Sequence, residues 1–482
     1  MKKSKRSISF FLALILIISN TTIVFAKSND YSNHWAKEEI QYLMGKDIVS
    51  GYSDGNFKPD QSVTRAEFFK IINNVFGYSQ KESIKFKDVG KGDWYYEDIR
   101  KALAAGYASG YSDGTMKPNR PITRQEASKI ISIAYGLDDK KSKSADNFTD
   151  KKEIEDWGKE YIGILKDRGY ISGYADGTFR PNAKITRAEL SKIITNASGN
   201  IINTQGEYSN SVNGNVLINT PNVKLKDMHI KGDLYLAEGI KEGDISLDNV
   251  IVDGEIYIRG YGGNNVRVKD SKLRQVNMKK TSKNANLILQ GKTEVKSILV
   301  NDNNKLVLET GVSVDTIEIK GKSNIEVGKE VKVKEIKANV KGIKIKSEGK
   351  IESILAKEDL MLNNELIKKG ESIKEDDKPA PAPPAGGGGG AMPMPVPSPS
   401  PSPSPIPDPE PEKPKISKAQ LEEKIVEARN LPEDKYTEET WEKLVSAIGK
   451  AKSVVNSGSA TNEDIESAYN QLQKSINSLI KL

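Results

Sequence analysis

The 482-residue chain has no cysteine and only two histidines, His34 and His229. Without thiols there is neither a disulfide framework nor a thiol nucleophile, so the fold must be held by packing. Two histidines leave little material for a Ser-His triad or an imidazole metal centre, and no metal or cofactor is expected. Long apolar runs are also scarce. The longest, Ile8 to Ile18, is too short to span a bilayer. It follows Lys2, Lys3, Lys5 and Arg6 and precedes a small-residue site at Ala26, so residues 1–26 read as a secretory signal peptide with a mature start near Lys27. No second apolar segment or C-terminal sorting tail follows, and no membrane span is expected after cleavage. The formal charge of +7 falls to +3 once the four basic residues of the signal are set aside, which gives no case for a nucleic-acid partner.

What the chain does have is repetition. "GYSDGNFKPDQSVTRAEF" from residue 51 recurs as "GYSDGTMKPNRPITRQEA" from 110 and "GYADGTFRPNAKITRAEL" from 173. Trp35, Trp94 and Trp157 each precede the repeat's first glycine by 16 residues, and that glycine precedes Arg65, Arg124 or Arg187 by 14. Each unit reads as helix, loop, helix, with apolar stripes such as Trp35, Ile40, Leu43, Ile48 and Phe68, Ile71, Ile72, Val75, Phe76. One unit is too small to bury these faces, so units at 27–85, 86–145 and 146–198 are expected to pack around a shared centre.

Part of the motif is architectural chemistry. Asp54-Gly55, Asp113-Gly114 and Asp176-Gly177 suit tight turns. Thr64 with Glu67, Thr123 with Glu126 and Thr186 with Glu189 have the spacing of capping boxes. The arginines are different, because a cation directly after an N-cap opposes the helix dipole. Lys58, Lys117 and Arg180, each seven residues before the arginine, and Tyr52, Tyr111 and Tyr174 complete a recurring basic and aromatic set. Such residues beside helix-start amides make an anion site with aromatic faces for sugar rings. The alternative is an internal ion pair from each arginine to an acid of a neighbouring repeat.

Residues 199–375 change to short β-branched runs punctuated by Gly, Asn and Asp. "LKDMHIKGDLYL" from 225 maps onto "LDNVIVDGEIYI" from 247. Further on, Leu306, Ile325 and Ile343 correspond, as do Val314, Val333 and Ile351, and Ile317, Ile336 and Ile354. A period near 20 with inward aliphatics predicts a parallel β-solenoid. Residues 376–414 alternate proline with serine and carry a glycine run, the composition of an extended spacer. Residues 415–482 predict a three-helix bundle, with starts at Ser417, Thr437 and Thr461 and stripes Leu421, Ile425, Ala428; Trp441, Leu444, Ile448, Ala451; and Ile465, Ala468, Leu472, Ile476, Leu479.

The three units resemble S-layer homology domains on the residues "HWA…GYSDGNFKP…VTRAE", "DWY…GYSDGTMKP…ITRQE" and "DWG…GYADGTFRP…ITRAE". The resemblance implies an all-α, pseudo-threefold trefoil with a central three-helix bundle. It also implies non-covalent attachment of an exported protein to secondary cell-wall polysaccharide bearing pyruvyl ketals, in a Gram-positive-type wall. The implied wall-binding set is Arg65, Arg124, Arg187, Lys58, Lys117, Arg180, Tyr52, Tyr111, Tyr174, Trp35, Trp94 and Trp157. Met116 and Gln125 replace the family's aromatic and alanine in one unit, and Val63 replaces an isoleucine, which makes the second groove the least conforming. The C-terminal module resembles FIVAR modules on "YTEETWEKLVSAI" and "DIESAYNQLQKSINSL", which implies a glycan or protein ligand.

Three functional classes stay open: a wall-anchored surface protein presenting its C-terminal bundle, a wall-anchored polysaccharide-degrading enzyme with its site on the solenoid, and a soluble carbohydrate-binding protein. His34 sits at a helix start, where the other repeats have Asp93 and Asp156, and His229 is expected on a strand surface. Paired carboxylates need no histidine, and Asp233, Asp244, Asp248 and Asp253 cluster near the solenoid's start. Acids at turns are also ordinary coil punctuation, so no catalytic residue is assigned.

Overall fold

The computed structural model describes residues 30–241, 243–259, 265–279, 285–301, 304–374, 417–429, 431, 435–456 and 461–480. The expected signal peptide and the spacer at 376–414 lie outside them. Described residues up to 374 belong to one compact unit and those from 417 to another.

Each repeat supplies two helices: α1 (Lys37–Gly45) and α2 (Arg65–Phe76), α3 (Tyr96–Ala104) and α4 (Arg124–Ala134), α5 (Asp156–Asp167) and α6 (Arg187–Ser198). The second helices start on complete capping boxes, with both reciprocal bonds formed at Thr64/Glu67, Thr123/Glu126 and Thr186/Glu189. Phe68, Phe69, Ile72 and Val75 of α2 are wholly buried, each stabilising by about 1.5–3 kcal/mol through the surface it removes from water. The first-helix stripe is shorter than its spacing predicts. Trp35 and Ile48 fall outside α1, and Trp35 is 61 % exposed, leaving Ile40 and Leu43 to seal the helix.

The repeats close on one another through their backbones. The Val63 amide donates to Ile185 O at 3.0 Å, the Ile185 amide to Ile122 O at 3.1 Å, and the Ile122 amide to Val63 O at 3.0 Å. This cycle of three bonds among wholly buried residues cannot form until all three units are present, which is why no unit is self-sufficient.

Residues 200–362 form a parallel β-solenoid of about 8 turns. Leu225 pairs with Leu247 and Ile230 with Val252, the 22-residue offset read from the sequence. Val314, Val333 and Ile351 stack, as do Ile317, Ile336 and Ile354. One predicted correspondence is corrected: Ile325 pairs with Ile345, not Ile343, which pairs onward with Leu360. The corner before this strand is longer and carries Gly342 at φ +80°. Both isoleucines are buried, so hydrophobicity alone does not tell them apart. At the far end, Glu365–Ile367 and Ser372–Lys374 pair antiparallel with the last strands, covering edge groups that would otherwise stay open.

The helical repeats sit directly on the first turns of the solenoid. Along one strand column the inward residues alternate with Ile201, Leu217, Tyr235 and Tyr257, which point outward yet join the hydrophobic core of the repeats. Tyr235 stacks on Tyr257 at 5.1 Å and meets Tyr135 edge-on at 5.1 Å. Solenoid side chains also satisfy the last carbonyls of the three second helices, groups that have no intrahelical partner. Asn219 donates to Val75 O at 2.8 Å, Asn215 to Ala197 O at 2.8 Å, and Arg259 to Ile133 O. Arg168 bonds Asp233 and donates to the Tyr257 hydroxyl at 2.8 Å and to Glu255 at 3.3 Å. Gly77, at φ +64°, lies so close to Gly239 that a Cβ there would stand 2.6 Å from the Gly239 Cα. The starts of α2, α4 and α6 consequently lie at the end away from the solenoid.

In the second unit, helices α7 (Lys418–Arg429), α8 (Glu438–Asn456) and α9 (Asn462–Asn477) share one core of Leu421, Ile425, Ala428, Leu444, Ala447, Ala451, Ile465, Ala468 and Leu472. Thr461 caps α9 with Asp464, and Ser417 exchanges bonds with Gln420 before α7.

Candidate functional site

The first four amides of a helix have no intrahelical acceptor, and their partners decide whether an anion can bind there. In α2 the Thr64 amide donates to Glu67 Oε2 at 2.8 Å and the Glu67 amide to Thr64 Oγ1 at 3.2 Å. The Arg65 amide donates to Arg120 O at 3.0 Å and the Ala66 amide to Pro118 O at 2.9 Å. Repeat three serves α4 in the same way through Ala183 O and Pro181 O, and repeat one serves α6 through Gln61 O and Pro59 O. All four donors are used in every case. The helix starts therefore do not form the expected anion site, because the loop of the next repeat already occupies it.

The arginines complete the same connection. Arg65 is 5 % exposed, and Arg124 and Arg187 are 6 % exposed. Arg65 Nε donates to Met116 O at 3.0 Å, Arg124 Nε to Phe179 O at 2.9 Å, and Arg187 Nε to Phe57 O at 2.8 Å. Each guanidinium lies over the tyrosine of the repeat it enters, at 4.9 Å from Tyr111, 4.8 Å from Tyr174 and 4.7 Å from Tyr52. Burial lowers the Arg65 pKa against the opposing fields of Tyr111 and Glu126. The cation tolerated beside the helix dipole is thus an inter-repeat clamp onto backbone carbonyls, and among the described residues it has an acid as partner only where Arg124 meets Glu189 at 3.1 Å.

Lys58, Lys117 and Arg180 belong to the turn and not to a cleft. Each has positive φ, between 51° and 57°. Each pairs with the turn aspartate, Lys58 with Asp54 at 2.7 Å, Lys117 with Asp113 at 3.0 Å and Arg180 with Asp176 at 2.8 Å. Their amides are held by a further recurring acid: Asp30, Asp88 and Asp150 each accept from two successive amides of the loop, Phe57 and Lys58 in the first repeat. The tyrosine hydroxyls donate to the capping glutamates, at 2.7 Å for Tyr52–Glu67, 3.0 Å for Tyr111–Glu126 and 2.6 Å for Tyr174–Glu189.

The clefts lie beside these loops, and each is built by three repeats. One, of about 340 Å³, is lined by Ser50, Gly51, Tyr52, Glu67 and Lys70 of repeat one, Trp94 of repeat two and Arg187 of repeat three. Another, of about 230 Å³, repeats the arrangement with Ser109, Gly110, Tyr111, Glu126, Lys129, Trp157 and Arg65. The glycines keep the cleft floor at backbone height: a Cβ on Gly110 would stand 2.0 Å from the Phe86 ring. Trp94 and Trp157, 57 and 39 % exposed, form the wall, with Lys70 Nζ 5.7 Å from the Trp94 ring and Lys129 Nζ 5.4 Å from that of Trp157. An open indole face, a lysine cation and backbone polar groups suit an anionic sugar ring. Lys70, Lys129 and their counterpart Lys192 were missed by the motif reading. Their signal was present, since each follows the repeat's arginine by 5 residues. Of the two departures in the second unit, Met116 is wholly buried, and Gln125 is outside both clefts and ties Asn182 at 2.9 Å and Glu155 at 3.1 Å.

On the solenoid, the candidate carboxylates are separated. Asp233 is buried against Arg168 and Tyr170. Asp253 meets His229 at 2.8 Å on an outer face. Asp248 lies in another column, in register with Lys226 and Lys269, and Asp244 accepts from the Asn265 amide at 3.2 Å. His34 accepts from the Ala36 amide at 3.2 Å, in keeping with its helix-start position. Among the described residues no helix is long and apolar enough to cross a membrane.

Comparison with known proteins places residues 29–69, 85–128 and 147–191 in the S-layer homology domain family. The chain is 35 % identical over 188 residues to an exoglucanase, XynX, of Acetivibrio thermocellus, an alignment covering 37 % of this chain and 17 % of that protein. It is 32 % identical over 181 residues to the surface-layer 125 kDa protein of Lysinibacillus sphaericus, covering 36 and 15 % respectively. To the cellulosome-anchoring protein of A. thermocellus it is 36 % identical over 156 residues, covering 30 and 34 %. The chain thus spans about a third or less of these relatives.

Proposed function

We propose that the three repeats hold this chain non-covalently at the cell surface by binding an anionic, pyruvyl-ketal-bearing secondary wall polysaccharide of a Gram-positive-type bacterium. The observation that carries this is the recurring cleft in which an exposed tryptophan of one repeat faces a lysine of the preceding one across a Gly-Tyr loop. The lysine supplies a point charge for a carboxylate, the indole a face for the sugar ring, and the clamp arginine fixes the loop between them. The family match and the names of a surface-layer protein and a cellulosome-anchoring protein among the relatives support the same function. In this scheme the solenoid is a stalk, and the C-terminal bundle is presented outward as a FIVAR-like module for a glycan or protein ligand.

The exoglucanase relative raises an enzymatic alternative, with a polysaccharide-cleaving site on the solenoid. We favour anchoring because the solenoid's candidate acids face different directions, whereas paired-carboxylate hydrolysis needs two acids within ~10 Å across one bond. Sedimentation of the mature chain with purified walls tests the proposal. The chain should pellet with intact walls and stay in solution with walls stripped of secondary polysaccharide by hydrofluoric acid. Equal pelleting with both would refute it.

A further inference from the structure

We propose that only two of the three clefts are open to an anionic sugar, and that the third, assigned by repeat correspondence to Tyr174, Lys192 and Trp35, is closed by the protein's own carboxylates. This rests on the anchoring function proposed above and assigns its sites. In the two open clefts, Lys70 and Lys129 stand beside Trp94 and Trp157, and no carboxylate lies within ion-pair distance of either among the described residues. In the third, Lys192 Nζ sits 2.5 Å from Glu39 Oε1. The Glu39 side chain is only 13 % exposed, and its other oxygen is buried without a partner. The ammonium is therefore drawn onto an internal acid that has no other cation among the described residues.

Two sequence positions produce the difference. Four residues after the tryptophan stand Glu39, Asp98 and Tyr161. Asp98 is already engaged by Asn73 and Lys101, and Tyr161 carries no acid, so only Glu39 captures its cleft lysine. Four residues before the clamp arginine stand Gln61, Arg120 and Ala183. Gln61 and Arg120 each donate to the tyrosine hydroxyl of their own repeat. Ala183 has no donor to offer, and Arg124 turns its Nη1 onto Glu189 at 3.1 Å, where Arg187 and Arg65 instead reach the carbonyls of Ser50 and Ser109. Both cations of the third cleft are consequently matched by carboxylates. An incoming carboxylate would have to displace Glu39 or lie against like charge.

Titration calorimetry of the mature chain with a single pyruvyl-ketal monosaccharide, which cannot bridge clefts, counts the open sites. The expected stoichiometry is two, falling to one in Lys70→Ala and in Lys129→Ala and staying at two in Lys192→Ala. Glu39→Gln, which removes the charge and keeps the shape, should raise it to three, with an unchanged melting temperature showing that the fold is retained. A wild-type stoichiometry of three, a site lost in Lys192→Ala, or no site gained in folded Glu39→Gln would overturn the inequality of the clefts while leaving anchoring in place. No binding by the wild type would instead overturn the proposed wall ligand, and this assignment with it.

Discussion

Replacing Arg187 by alanine separates the two roles the sequence allows for the motif arginine. As a ligand contact, it would be removable without harm to the fold. The structure predicts the reverse. Arg187 Nε donates to Phe57 O at 2.8 Å and Nη2 to Ser50 O at 2.6 Å, and the guanidinium lies 4.2 Å from the Phe57 ring. A hydrogen bond to a charged group contributes about 1.5–3 kcal/mol and a desolvated cation–π contact up to about 2. Against these stands the recovered cost of burying the charge, which leaves a net loss of about 3 kcal/mol. With an unfolding entropy of about 2.1 cal/mol/K per residue, that lowers the melting temperature by ~8 °C if residues 30–198 unfold alone, and by ~4 °C if residues 30–374 unfold together. Scanning calorimetry measures the shift and distinguishes the two cases. Arg187→Lys should fall between, since an ammonium cannot reach both carbonyls in the plane of the rings. Wall binding by the folded fraction should be reduced much less than in Lys70→Ala, whose melting temperature should not move. An Arg187→Ala protein that melts as the wild type does but no longer pellets with walls would refute the clamp.

Other variants test other levels of the structure. Lys70→Ala with Lys129→Ala should release the chain from purified walls while its circular dichroism stays unchanged. Arg168→Ala leaves Asp233 buried without its cation at the junction, a loss of roughly 3–5 kcal/mol, and should lower the melting temperature in scanning calorimetry. Val333→Asp places a charge in a wholly buried column at a cost of several kcal/mol, and β-structure in circular dichroism should fall; wild-type melting would mean the rung register is wrong. The Thr115 hydroxyl and the Lys117 ammonium hold Asp113 down to about 2, below its unfolded value. Its stabilising effect is therefore complete above the ordinary aspartate pKa and lost as pH falls from about 4 towards 2. Asp113→Asn should flatten that acid limb in a plot of melting temperature against pH, and an unaltered limb would show that the turn ion pair does not contribute.

The sequence by itself determined the units, the capped second helices and the solenoid period, because each rests on local chemistry. A threonine three residues before a glutamate, followed by an apolar helical stripe, is a local helix-start signal, and aliphatics spaced near 20 residues apart stack if the chain coils. Even the docking of the repeats on the solenoid left a trace in "LYL" and "IYI", where the outward position that should be polar is an aromatic. Tertiary structure alone decided what the recurring basic residues do. Whether Arg65 faces a ligand or a carbonyl depends on a loop 51 residues further on, and whether Lys192 is free depends on Glu39, 153 residues away. The same holds for Ile343 and Ile345, both apolar and both inward, whose register was set by the length of the corner before them. Spacing fixes which residues share a face, but the partner across that face comes from a distant segment, and the closed ring of three repeats is what brings it there.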